Sequence, residues 1–112
     1  MSEQVISEVI FALRSRRDVF EASNSMNEAQ RYQRYCDSLH EGMGVARGVK
    51  RSPEDLKRIR LDIFSVSDPS LLERIMPFPR NRQAYNAVLK LGGRVERVEA
   101  GLPPRKLLGL FG

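Results

Sequence analysis

Apolar residues recur along most of this chain in steps of three and four, the spacing that places side chains on one face of an α-helix. Over residues 3 to about 20, Val5, Ile6, Val9, Ile10 and Leu13 form one broad stripe. A second stripe, over roughly 26–41, runs through Met26, Ala29, Tyr32 or Gln33, Cys36, Leu39 and Met43. Its opposite face carries Gln30, Arg31, Arg34, Asp37 and Glu41, and Gly42 is placed to end the helix. Ser52-Pro53-Glu54-Asp55 opens a third helix: Ser52 caps free amides, Pro53 loses nothing in a first turn, and the two acids suit the positive helix end. That helix buries Leu56, Ile59, Ile63 and Val66 and leaves Lys57, Arg58 and Asp62 outside. Ser67-Asp68-Pro69 repeats the same start for a short helix holding Leu71, Leu72 and Ile75, which Pro77 and Pro79 stop. The last helix runs from Asn81 to Gly92-Gly93, with Ala84, Tyr85, Val88 and Leu89 inward and Arg82, Gln83, Asn86 and Lys90 outward. Arg94-Val95-Glu96-Arg97-Val98-Glu99-Ala100 alternates too briefly to define a strand and reads as a small wing or a continuation of the helix.

The pattern predicts an all-α fold, a small bundle of three main helices plus one or two short ones. With 112 residues the chain builds one ordinary core. We expect one helical domain over 1–104, followed by an apolar C-terminal tail over 105–112. The stripes are broad for so small a core, which points to self-association as a homo-oligomer such as a dimer.

Fifteen of the 19 basic side chains are arginine, and the net charge is +5. Arginine presents a planar fork of donors suited to phosphates, carboxylates and base edges, so the composition favours binding. One histidine and one cysteine cannot make a zinc site of the usual spacing. His40 sits beside Glu41 and near Asp37, but adjacent residues on a helix do not face one another and Asp37 alone makes no triad. Asp55 with Asp62, and Glu96 with Glu99, share helical faces as ordinary surface acids do. Cys36 reads as a small core or interface residue. These residues predict no enzyme, no cofactor and no metal. No apolar run spans a bilayer, and Glu3 stands where a secretion signal would carry positive charge, so no membrane partner and a cytoplasmic location are expected.

The candidate chemistry is therefore non-enzymatic contact with DNA or RNA through phosphates, in a nucleic-acid-binding or regulatory accessory protein. Arg47, Lys50 and Arg51 lie in a glycine-rich basic connection that lacks the pattern of a dinucleotide or phosphate loop. Arg58, Arg80, Arg82 and Lys90 extend the basic set, and Gln83 and Asn86 add amides that can read bases from a helix-turn-helix arrangement. The proline-bearing Met76–Arg80 connection is unlike the compact turn of that motif. Tyr32 and Tyr35, beside Arg31 and Arg34, can stack on bases or fill the core.

The alternative function is a protein-interaction adaptor whose tail residues Leu107, Leu108, Leu110 and Phe111 enter a partner's groove. Leu107-Leu108-Gly109-Leu110-Phe111 resembles, over five residues, the bacterial sliding-clamp-binding peptide, usually Gln-Leu-x-Leu-Phe, with Leu107 in place of the glutamine. The resemblance implies that Leu108, Leu110 and Phe111 fill the clamp's apolar pocket in a replication or repair accessory role.

Overall fold

The computed structural model describes residues 3–103, and they fold as five helices: α1 Glu3–Ala22, α2 Met26–Ala46, α3 Pro53–Val66, α4 Pro69–Ile75 and α5 Arg80–Glu99. The all-α expectation holds. Its count of main helices does not, because four are long and one is short. Among the described residues, no helix is long and apolar enough to cross a membrane.

Helices α1, α2 and α3 form a layer of antiparallel neighbours with α2 in the middle. Arg47, just past the end of α2, bonds Glu3 at the start of α1, and the Phe20 and Tyr32 rings meet at 5.4 Å near the other end. Across the next seam, Ser38 and Glu41 of α2 bond Asp62 and Arg58 of α3. Helix α5 lies across this layer. Its first residue, Arg80, bonds Glu8 of α1, its Leu91 sits over Gly42 of α2, and its last residue, Glu99, bonds Arg60 of α3. Ala84, Ala87, Val88, Leu91, Gly92 and Val95 form its buried underside, and the small side chains among them let α5 approach closely. The α1 stripe that suggested self-association, Val5 to Leu13, is buried within the single chain. Each fully buried aliphatic such as Ile6, Leu13, Leu39 or Ile63 contributes about 1.5–3 kcal/mol of burial.

Helix ends depart from expectation where packing decides them. Gly42 does not end α2, which continues to Ala46. A Cβ at Gly42 would come within 2.6 Å of Ile63 Cδ1 and 3.5 Å of Leu91 Cδ2, so this glycine admits α3 and α5 at their crossing. The stop is Gly48, at φ +103°, where the Gly48 amide donates to the Val45 carbonyl and Val49 to Gly44, the paired bonds of a Schellman end. Helix α5 likewise runs through Gly92-Gly93 to Glu99, so residues 94–99 continue the helix and form no wing. It ends in the same motif at Gly101, where the Gly101 and Leu102 amides donate to Val98 and Arg97.

Other local expectations resolve individually. Ser52 accepts from the Asp55 amide at 3.2 Å and Asp68 from Ser70 at 3.0 Å, so both proline-led starts are capped as read. Leu89, expected inside, is exposed, and so is Met26 at the first position of α2. Asp62, expected outside, is buried: its carboxylate accepts from Ser38 Oγ at 2.7 Å and Arg34 Nε at 3.3 Å on the α2–α3 seam.

Candidate functional site

Much of the arginine in this chain serves the fold. Arg47 bonds Glu3, bridging the ends of α1 and α2. Glu41 forms an ion pair with Arg51, at 3.1 Å, and accepts a hydrogen bond from Arg58, at 2.8 Å. Arg80 bonds Glu8 through Nε at 2.7 Å and also reaches Gln83, so α5 is pinned to α1 where it begins. The hydrogen bond from Arg80, aided by its charge and opposed by desolvation, holds the Glu8 carboxyl below its ordinary value. A phosphate approaching Arg47, Arg51, Arg58 or Arg80 must therefore compete with a carboxylate already in place.

Lys50, Arg82 and Lys90 stand apart from these four. Among the described residues, no carboxylate lies within ion-pair distance of them, nor of Arg94. Lys50 sits beside Arg51 in the connection after α2. The others belong to the outer face of α5, where Arg82, Asn86, Lys90 and Arg94 follow one another in four-residue steps. That spacing brings side chains onto neighbouring turns, so the set spans about 18 Å at 1.5 Å per residue. Arg82 also lies in the first turn of α5, which contains no acid, whereas α1 and α2 each carry one there and α3 carries two. The positive end of the α5 backbone thus adds to the field of Arg82.

Beside this stripe is a groove of about 550 Å³ between α4 and the start of α5. Pro69, Leu72 and Glu73 form the α4 wall, and Phe78, Asn81, Arg82, Tyr85 and Asn86 form the other. The prolines on either side of Phe78 keep it in the corner between the helices, where the residue is 70% exposed. The Arg82 guanidinium lies over that ring, 5.4 Å from its centroid, so Arg82 and Asn86 belong to both groove and stripe. Asn81 contributes a buried side-chain oxygen that receives no hydrogen bond from the described residues. A buried acceptor left in that state costs about 1–3 kcal/mol.

Comparison with family models, with curated proteins and with solved structures gives no match. The chemistry of the site consequently rests on its own geometry. Among the described residues, no group of three or more histidine, cysteine, aspartate or glutamate side chains is placed to hold a metal ion. Cys36 is buried; desolvation pushes its thiol up, and Sγ lies 3.6 Å from the Ile10 carbonyl.

The tyrosines considered for stacking serve the core. Tyr32 is buried between Phe20 and Tyr35, with ring centroids at 5.4 and 5.9 Å. Leu107, Leu108, Leu110 and Phe111, the residues assigned to partner binding, lie outside the described residues. Sequence reasoning missed Phe78, Asn81 and Glu73 as groove residues, and Arg94 because the last helix was ended one residue before it. The available signal was Phe78 itself, a large apolar side chain between two prolines that neither helix can bury.

Proposed function

We propose that this chain is a non-enzymatic nucleic-acid-binding accessory protein that engages the phosphate backbone through the outer face of α5. Arg82, Lys90 and Arg94 contact phosphates, Asn86 adds an amide between them, and Lys50 supplies a further cation from the connection after α2. The observation that carries this reading is the difference in pairing: among the described residues Arg82, Lys90 and Arg94 have no carboxylate within ion-pair distance, while Arg47, Arg51, Arg58 and Arg80 are engaged in ion pairs within the fold. Unneutralised cations on one helix face form the electrostatic footprint expected of a polyanion-binding surface. Binding of this kind is tolerant of sequence and sensitive to salt.

The test is fluorescence polarisation with labelled single-stranded DNA, RNA and duplex DNA at about 50 and about 200 mM salt. Binding should weaken strongly at the higher salt. Replacing Arg82, Lys90 or Arg94 with alanine should weaken every nucleic acid bound and lower the salt slope by about one per residue. Arg51→Ala should have a smaller effect on binding. Absence of binding at the lower salt, or binding indifferent to the α5 substitutions, rules the proposal out.

A further inference from the structure

The groove between α4 and α5 has two properties that phosphate binding leaves unused. It presents an exposed aromatic face at Phe78 and the Glu73 carboxylate, which carries no ion pair with the described residues. It also opens directly onto the α5 stripe, because Arg82 and Asn86 line it.

We infer that this groove receives one unstacked base of a single strand while the neighbouring phosphates lie on α5. The inference rests on the nucleic-acid reading above and specifies its ligand. Phe78 gives the base a ring to stack against, and every base has a face that can use it. Arg82, already over that ring, stays within reach of the backbone as the base enters. A carboxylate is unfavourable beside phosphate and favourable beside an exocyclic amine, so Glu73 suits the edge of a base and not the backbone. That preference selects bases that carry an exocyclic amine, adenine, cytosine and guanine, over thymine. A duplex hides these edges within its stack and pairs, so the groove distinguishes single strands from double ones.

An apolar peptide is the other class of occupant to weigh. It would use Phe78 and Leu72 but have no use for the Glu73 charge or for the adjacent cations. The base accounts for all of these features.

The experiment titrates labelled oligo-dA, oligo-dC and oligo-dT, and a duplex, against the full chain and against Phe78→Ala, Phe78→Trp and Glu73→Ala. The wild-type chain should bind oligo-dA and oligo-dC several-fold more tightly than oligo-dT. Phe78→Ala should lose about tenfold on the preferred single strands and nothing on the duplex. Phe78→Trp should keep the affinity, and Glu73→Ala should bring oligo-dC and oligo-dT to within about twofold of one another. Phe78 is exposed, so its alanine variant should remain folded; circular dichroism checks this. If Phe78→Ala binds single strands as the wild type does, the groove holds no base, although phosphate binding through α5 stands. If Phe78→Ala weakens single strands and duplex equally, base insertion is likewise wrong. Failure of the wild-type chain to bind any of these nucleic acids overturns both readings together.

Discussion

Neighbouring glycines in α5 should respond in opposite directions to the same substitution. Gly93 has open space where a Cβ would stand, whereas a Cβ at Gly92 would lie 2.8 Å from Phe64 Cε1 and 2.9 Å from Cζ. Alanine in a helix interior is favoured over glycine by about 0.8–1 kcal/mol. Gly93→Ala meets no opposing contact and should raise the melting temperature by about 3–4 °C, the shift that gain produces in a chain of this size. Gly92→Ala gains the same propensity but must displace the half-buried Phe64 ring, and overpacking of that kind costs about 1–3 kcal/mol. Its net effect should lie between neutrality and a loss of about 2 kcal/mol. Thermal unfolding followed by circular dichroism, with urea titration as a check, measures both variants. The sign at Gly93 is decisive. Had the helix ended at this pair with Gly93 in the left-handed conformation, alanine there would destabilise by roughly 1 kcal/mol. A lower melting temperature for Gly93→Ala would therefore refute the continuous α5 helix, and with it the placement of Arg94 on the outer face. Equal shifts for the two variants would refute the close contact with Phe64.

The Glu8–Arg80 pair should give the fold an acid-sensitive increment. Because the folded carboxyl titrates below its unfolded counterpart, the increment is present above the unfolded value, near about pH 4, and is lost as pH falls through the lower folded value. Between neutral pH and about pH 3, the urea midpoint of Arg80→Gln should fall less than that of the wild type, and an equal fall would contradict the pairing. On the α2–α3 seam, Asp62→Ala removes the acceptor of the buried Ser38 hydroxyl and should cost about 1–3 kcal/mol in chemical denaturation. Asp62→Asn keeps an acceptor there and should cost less; equal losses would show that the hydrogen bond contributes nothing beyond packing.

The amino-acid pattern was sufficient for the helices themselves. Val5 to Leu13, Leu56 to Val66 and Leu71-Leu72 are apolar at helical spacing, and Ser52-Pro53 and Asp68-Pro69 carry their own capping chemistry, so these elements are specified by interactions a few residues apart. Helix ends were legible only where that chemistry was equally local. Gly42 and Gly92-Gly93 look like stops in sequence because glycine often ends helices. In the fold, Gly42 and Gly92 are small because Ile63 and Phe64 pass over them, and the stops fall at Gly48 and Gly101. Composition pointed to arginine as the chemistry of this chain, but not to which arginines are available. That depended on contacts such as Glu8 with Arg80, separated by 72 positions, and Glu3 with Arg47, separated by 44. Asp62 changed from a surface acid to a buried one for the same reason, since its partners Arg34 and Ser38 lie on another helix. The groove is likewise a product of tertiary structure. Local sequence kept Phe78 out of a helix, and only the packing of α4 against α5 placed Glu73, Asn81 and Arg82 around it.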